Sequence, residues 1–201
     1  MVENKGDVND VFNDNLSLLH KEIKKSSPSI EVIKFLVENK VYLNYSKIYS
    51  PLHFACEKNE ISLEIIKFLV EQKTDLNMFH HGILLPIHAA CKNVNINLKL
   101  IKILVDNKSE LNVFDKGFDK LSPLHHVCNN TSINLEVIKF LVEKNADLNL
   151  KQKFIPLHLA AQNKNVSFQI IEYLVEQKSI INSLNSQGSS PLHIASKNTK
   201  I

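Results

Sequence analysis

The 201-residue sequence contains no arginine, so all 24 of its basic residues are lysine. Specific recognition of guanine or phosphate favours the planar guanidinium group of arginine over the single ammonium group of lysine. The net charge of +3 is also modest. These two features argue against a protein that recognises nucleic acid by sequence.

Long apolar runs are missing as well. The longest are short stretches such as Phe68–Val70, whereas a membrane-spanning helix needs about 20 apolar residues. The N-terminus has no apolar run suited to a signal peptide. Since 44% of the residues are hydrophobic, the chain can still bury a core. We therefore expect an intracellular protein of the cytoplasm, with the nucleus as the alternative compartment.

A Pro-Leu-His or Pro-Ile-His motif, preceded by Ser, Leu or Ile, returns through the whole chain. A degenerate copy, Ser17–His20, lacks the proline. The repeated histidines are His20, His53, His88, His125, His158 and His193. Their spacing of 33 to 37 residues is typical of stacked supersecondary units.

Each copy also predicts two helices and a loop. The motif proline suits the first position of a helix, and a good N-cap residue stands nine residues after each of the first five histidines. These five residues are Ser29, Ser62, Asn97, Asn134 and Ser167. An amphipathic run such as Glu64–Val70 then predicts a second helix. The loops that follow differ in length by two residues. A β-hairpin can lengthen by two residues without moving its side chains to the opposite face, so these lengths indicate β-hairpin fingers.

The repeated unit resembles an ankyrin repeat. Pro51–Ala55 and Pro156–Ala161 match the Pro-Leu-His-x-Ala-Ala part of the family consensus, and Ala146–Asn149 matches its Ala-Asp-Val-Asn part. The resemblance implies an all-α solenoid of stacked helix-turn-helix units with β-hairpin or loop fingers. It also implies that the six histidines are structural residues whose hydrogen bonds link neighbouring units.

The sequence departs from that family at the ends of the second helices. Lysine stands where the family has a helix-ending glycine at Lys40, Lys73, Lys108 and Lys178, and Asn145 takes this place in the fourth copy. We expect weaker C-caps here but no change of fold.

The repeat boundaries follow from the motif spacing. We expect one continuous domain with five repeats, at residues 15–47, 48–82, 83–119, 120–152 and 153–187. Residues 1–14 align with the tail of a preceding repeat, and residues 188–201 with the first part of a sixth. Both ends thus fall inside a repeat, and our hypothesis is a segment of a longer array.

The cysteines are candidates for chemistry because His53, His88 and His125 are each followed three residues later by a cysteine. Such pairs suit zinc ligands or a nucleophile with its base. In other copies the cysteine position holds Ile23 or Ala161, which favours a core position instead. Equivalent positions on stacked helices lie roughly 8–10 Å apart, too far for a disulfide. We expect free, reduced, buried thiols, no catalytic residue, no metal site and no cofactor.

The fingers are rich in aromatic residues, and the first helices carry lysines. Aromatic anchors on an exposed surface are typical of binding hot spots, but they could also pack between neighbouring fingers. The adjacent histidines His80 and His81 could form a pH-sensitive contact, bind metal or be solvated at a loop tip. The lysines could attract an acidic partner or form a solvated helix face. The candidate partner-binding residues are Tyr45, Tyr49, Phe79, His80, His81, Phe114, Phe118, Phe154, Lys58 and Lys92.

The function implied by the resemblance is non-catalytic protein–protein interaction, as a scaffold or adaptor. The partner protein would bind to the fingers and to the concave face of the first helices. We expect a monomer without a small-molecule substrate. Two alternatives remain: lysine-mediated binding to nucleic acid or an anionic membrane, and an accessory array within a larger enzyme, channel or adaptor.

Overall fold

A computed structural model describes residues 9, 16–44, 50–79 and 84–198. Over these ranges the chain forms α-helices joined by turns and loops, without a β-strand. None of the helices found there is long and apolar enough to cross a membrane. The helices are α1 (Leu18–Lys24), α2 (Ile30–Glu38), α3 (Pro51–Glu57), α4 (Leu63–Glu71), α5 (Pro86–Lys92), α6 (Leu98–Asp106), α7 (Pro123–Asn129), α8 (Leu135–Glu143), α9 (Pro156–Gln162), α10 (Phe168–Glu176) and α11 (Pro191–Ala195).

The helices alternate between a first and a second helix of each unit. The odd-numbered first helices pack in series, each against the next, from α1 to α11. Each of α1, α3, α5, α7 and α9 also packs against the second helix that follows it, and α2, α4, α6 and α8 form a row of their own. The predicted all-α solenoid of helix-turn-helix units is confirmed.

The core lies between consecutive units. The apolar residue before each repeat histidine is buried at Leu19, Leu52, Ile87, Leu124 and Leu157. Second helices add fully buried side chains such as Ile66, Ile101 and Ile138. Complete burial of one such side chain stabilises the folded state by about 1.5–3 kcal/mol, and stacking repeats these contacts along the array.

The predicted helix starts are confirmed. Ser29, Ser62, Asn97 and Asn134 accept a hydrogen bond from a backbone N–H of the first turn, and Ser167 occupies the same position without one. Proline stands in the first turn of α3, α5, α7, α9 and α11.

The second helices end in a left-handed residue. Lys40, Lys73, Lys108, Asn145 and Lys178 have φ between 61° and 71°. At Lys40, the backbone N–H donates to the Val37 carbonyl, and the next N–H, of Val41, donates to Leu36. This Schellman pattern keeps the fold without glycine, although a lysine in this conformation is strained by roughly 1–2 kcal/mol.

The fingers are loops rather than two-stranded hairpins within the described residues. The Asp115 N–H donates to the Leu121 carbonyl at 2.9 Å, and the Asn185 N–H donates to Ser189 at 2.9 Å. Side-chain oxygens of Asp115 and Asn185 bind other N–H groups of the same fingers. These bonds take the donors that a strand ladder would use, so these two fingers close as tight loops.

The repeat histidines connect each first helix to the next finger. Nδ1 of His88 accepts the backbone N–H of Leu85 at 3.1 Å, and His125 and His158 repeat this bond within their own units. Nε2 reaches a carbonyl of the following unit, at Leu84 for His53 (2.8 Å), Val113 for His88 (3.1 Å), Phe154 for His125 (3.0 Å) and Ser189 for His158 (3.1 Å). A backbone N–H can only donate and a carbonyl can only accept, so the rings of His88, His125 and His158 are the neutral Nε2–H tautomer.

Burial of these rings disfavours their protonated form. Desolvation lowers the pKa of His88 to about 4, helped by the nearby His126, and lowers the pKa of His125 to about 4. It also lowers the pKa of His158. Protonation would place a charge in the core and remove the acceptor at Nδ1.

The three cysteines are free and buried, as expected. Burial raises the pKa of the Cys128 thiol to about 12 and the pKa values of Cys56 and Cys91 still further. These thiols are therefore un-ionised at neutral pH, which makes them poor nucleophiles.

The strained C-caps generate the first prediction. Lys73→Gly and Lys108→Gly should each raise the free energy of unfolding by about 0.5–1 kcal/mol, because relief of left-handed strain outweighs the entropy that glycine adds to the unfolded chain. Urea denaturation of each variant and of the unmodified chain measures the change in the free energy of unfolding. Lys67→Gly, at an exposed position in the middle of α4, should instead destabilise by about 1 kcal/mol. Destabilisation at all three sites would contradict the strain argument.

The buried histidines generate the second prediction. Their folded pKa values lie below the unfolded value of about 6.5, so between these two values the unfolded chain binds more protons. Stability should be complete above pH 6.5 and fall as the pH drops toward 4. The loss attributable to His125 is on the order of 3 kcal/mol. Urea titrations from pH 7.5 to 4 should show a shallower loss for His125→Gln; an equal loss in both proteins would refute the assignment.

Candidate functional site

Two rows of asparagines hold neighbouring units in register. The first row follows the first helices at Asn93, Asn130, Asn163 and Asn198. The Asn130 amide, for example, donates to the carbonyls of Cys91 (3.0 Å) and Asn93 (2.8 Å) in the preceding unit. Asn163 makes the same contacts one unit further along the chain. These bonds satisfy the last carbonyls of α5 and α7, which a helix end leaves without partners.

The second row lies at the bases of the fingers. Asn77 bridges to the next unit through two bonds, donating to the Lys108 carbonyl (3.0 Å) and accepting from the Glu110 N–H (2.9 Å). Asn112 and Asn149 form the same two-bond bridge one and two units later. Each finger therefore starts from a fixed point relative to the helices.

The finger before α7 is closed from inside by Asp115. One carboxylate oxygen accepts the N–H groups of Gly117 (3.0 Å) and Leu121 (3.1 Å), and the other accepts from His126 Nε2 on α7 at 2.7 Å. Burial alone would raise the pKa of Asp115, but these hydrogen bonds bring it below the usual value. Asp115 thus stays ionised and ties the finger to the first helix.

A cavity of about 520 Å³ opens between this finger and the first helices. Glu57, Lys92 and His126 contribute from α3, α5 and α7, and Phe118 and Asp119 contribute from the finger. A second cavity of about 470 Å³ lies between α9, α11 and the finger that precedes α11. We call these two cavities together the groove.

Phe118 stands at the tip of the Asp115 finger with 89% of its surface exposed. Lys153, from the next finger, places its ammonium group 3.3 Å from the ring centroid and 3.0 Å from the Asp119 carboxylate. An exposed aromatic ring held by neighbours that are themselves fixed is a favourable anchor, because little side-chain entropy remains to be lost on binding.

The other predicted aromatic contacts are half-buried where the structure describes them. Phe79 and Phe154 pack against the core, and Lys116 of the next finger lies 4.5 Å from the Phe79 ring centroid. Phe114 lies 6.1 Å from the His125 ring. Their edges can still reach a ligand, and Phe154 lines the second cavity. Tyr45, Tyr49, His80 and His81 lie outside the described residues.

The two predicted lysines have different surroundings. Lys58 donates to the Lys25 carbonyl at 2.5 Å and so takes the place of an asparagine of the first row. Lys92 is exposed and lines the first cavity. Partial burial raises the pKa of the nearby Glu57, and Lys92 and Lys24 oppose this shift.

The asparagine rows and the Asp115–His126 pair were not recognised in the sequence. The signal for the first row was present, since Asn93, Asn130, Asn163 and Asn198 each follow their repeat histidine by five residues. Nothing in the local sequence pairs Asp115 with His126, because a loop of variable length separates them.

The described residues contain no group of three or more His, Cys, Asp and Glu side chains arranged to hold a metal ion. His53, His88, His125 and His158 use both ring nitrogens in hydrogen bonds within the fold. The geometry is that of a surface for contacts, lined by one exposed aromatic ring, amides and ammonium groups.

Comparisons with known proteins agree with the fold. The family model for ankyrin repeats in three copies matches residues 87–177 and 134–201, and the model for a single ankyrin repeat matches residues 47–78. The comparison with curated proteins found no match.

These matches cover well over half of the chain, and the described helices form the stacked helix-turn-helix units expected for them. Ankyrin repeats are generally protein–protein interaction modules and are typically non-catalytic. The chain therefore belongs to the ankyrin repeat family.

Proposed function

We propose that this chain binds another protein in the groove and that it is not an enzyme. The observation that carries the proposal is the exposure of Phe118 beside a cavity of about 520 Å³. The finger that carries this ring is tied to α7 by the hydrogen bond between Asp115 and His126. Large exposed aromatic side chains on a rigid support are favoured anchors of protein interfaces.

The rest of the groove supports the same function. Asn129 and Asn130 line the first cavity, and Gln162, Asn185 and Gln187 line the second. Amides both donate and accept, so they can bind the backbone of an extended partner segment. Phe79, Phe114, Phe154 and Lys92 add partner contacts along the groove, and Tyr45, Tyr49, His80, His81 and Lys58 remain part of the proposed surface on sequence grounds.

We further propose that the repeats follow the boundaries at residues 15–47, 48–82, 83–119, 120–152 and 153–187, and that the protein acts as a monomeric scaffold or adaptor in the cytoplasm. Each unit then contributes a finger and a first helix to a continuous surface. Complementarity would be distributed over several units, as the linear construction of repeat proteins allows.

Binding to the groove generates a prediction for Phe118. The immobilised chain should retain a partner from extract of its source organism, and Phe118→Ala should reduce the affinity for that partner at least about tenfold, because a buried aromatic anchor is lost. Isothermal titration calorimetry with the purified partner measures the change.

The matched control is Phe168→Ala. Phe168 is also strongly exposed, at 72%, but lies at the start of the second helix α10, away from both cavities. Its removal should change the affinity less than about twofold. Equal losses for both variants, or none for Phe118→Ala, would place the interface elsewhere.

The support beneath the finger gives a separate prediction. Asp115→Ala leaves the His126 donor and two backbone N–H groups without their acceptor, so it should lower the free energy of unfolding by about 1–3 kcal/mol and weaken partner binding. Asp119→Ala removes only an exposed ion pair with Lys153 and should cost less than about 1 kcal/mol. Urea denaturation measures the stability of the two variants, and calorimetry measures their affinity for the partner. An Asp115→Ala protein with unchanged stability and unchanged affinity would contradict the positioning role.

A further inference from the structure

We propose that the groove selects an acidic, extended segment of its partner, with carboxylates at Lys92, Lys164 and Lys197 and an apolar side chain against Phe118. This inference rests on the proposed function and specifies the chemistry of the partner. It depends on how charge is distributed between the two rows of helices.

Carboxylates are concentrated on the second helices. The acidic residues there are Glu31, Glu38, Glu64, Glu71, Asp106, Glu136, Glu143, Glu172 and Glu176. Among the described first helices only α1 and α3 carry an acidic residue, namely Glu22 and Glu57. The second cavity has no carboxylate in its lining. Glu57, Asp115 and Asp119 line the first cavity, where His126 binds Asp115 and Lys153 binds Asp119.

The two first-helix carboxylates are already engaged. Glu22 pairs with Lys25 at 2.5 Å and accepts the Ser29 N–H at 2.9 Å, and its side chain is buried. Glu57 lies within the electrostatic influence of Lys92 and Lys24. Glu57 therefore partly compensates the charge of Lys92, whereas neither carboxylate lines the cavity of Lys164 and Lys197.

The second cavity is the most clearly cationic part of the groove. Lys164 and Lys197 line it together with Phe154 and Ile194, and no carboxylate lines it. Both lysines are exposed, and neither forms an ion pair with a described residue. The two ammonium groups beside the Phe154 ring would complement a partner segment in which a carboxylate lies next to an apolar side chain.

The first cavity combines charge with the aromatic anchor. Lys92 lies in it with Phe118, Leu84 and Val94. Asp119, on the same finger, is neutralised by Lys153 at 3.0 Å. An apolar side chain can therefore contact the Phe118 edge of this cavity while a neighbouring carboxylate reaches Lys92.

The distance between the cavities sets the length of the segment. The first cavity lies at α5 and α7 and the second at α9 and α11, so they are two first-helix steps apart. At about 8–10 Å per step the separation is roughly 16–20 Å. An extended chain advances about 3.3 Å per residue, so the two contacts should be about five or six residues apart.

A peptide fits this surface better than a nucleic acid does. The groove offers lysines without arginine, and its amides suit a peptide backbone. Its one strongly exposed aromatic side chain is far from the stacking series that single-stranded nucleic acids use.

The test is a selection of random twelve-residue peptides displayed on phage against the immobilised full chain. Affinities of recovered peptides are then measured by fluorescence anisotropy for four variants and for the unmodified chain. The groove variant is Lys92→Gln, Lys164→Gln, Lys197→Gln. The charge-matched control is Lys67→Gln, Lys99→Gln, Lys102→Gln on α4 and α6. Phe118→Ala and Phe168→Ala complete the set, and a twelve-nucleotide oligothymidylate serves as the polyanion probe.

We expect recovered peptides to be rich in Asp and Glu, with an apolar residue about five or six positions from a carboxylate. Their dissociation constants should rise roughly tenfold with the groove variant and with Phe118→Ala, but less than about twofold with the other two variants. Raising the salt concentration should weaken binding moderately, since only a few charge pairs form. The oligothymidylate should bind at least about tenfold more weakly.

Other outcomes would overturn the inference in distinguishable ways. Peptides without acidic enrichment that depend on Phe118 but not on the three groove lysines would refute the acidic preference and leave the proposed function standing. Equal binding of oligothymidylate, lost in the groove variant, would identify a general polyanion surface instead. Peptides indifferent to every groove substitution, or no enriched peptide, would reject both the inference and the proposed function.

Discussion

The groove depends on the two hydrogen bonds that each neutral, buried repeat histidine forms. Nδ1 of each ring accepts the backbone N–H of the residue just before its own helix. Nε2–H donates to a carbonyl in the finger of the next unit, from His88 to Val113 and from His125 to Phe154. One buried ring therefore sets both the start of a first helix and the position of the following finger. The cost of desolvating a charged ring keeps it neutral, so both bonds are available together.

The asparagine rows complete this support at the other ends of the helices. Asn130 reaches carbonyls at the end of the preceding first helix, and Asn77 and Asn112 bridge the bases of successive fingers. Helix ends and loops carry backbone groups that would otherwise lack partners. Side-chain amides satisfy these groups across successive unit boundaries and so fix the bases of the fingers relative to the helices.

The groove combines this rigid support with local differences between units. Repetition places a carboxylate, a lysine or an amide at equivalent positions of successive first helices, such as Glu57, Lys92 and Gln162. Finger length varies independently, and the finger that carries Phe118 is secured by the Asp115–His126 pair, which has no counterpart among the other described residues. The differences between the units of this chain therefore lie in departures from the repeat, whereas the contacts that hold the units together belong to the repeat itself.

Sequence alone determined the helices, their caps and the stacking order, because these depend on short-range patterns. Proline, N-cap residue and apolar face recur at constant offsets from each histidine, so Ser62 and Asn134 could be placed at helix starts without coordinates. The left-handed C-caps were also located, although lysine replaces glycine there. Even the free state of Cys56, Cys91 and Cys128 followed from their shared repeat position.

Only the tertiary structure decided which side chains reach the groove. Phe79, Phe114 and Phe118 looked equivalent in sequence, yet only Phe118 is strongly exposed, because its ring extends beyond the loop that Asp115 and His126 close. The predicted hairpins became loops where side-chain oxygens took the backbone donors. Exposure and loop closure depend on contacts between residues far apart in the chain, and periodicity within a repeat carries no information about those contacts.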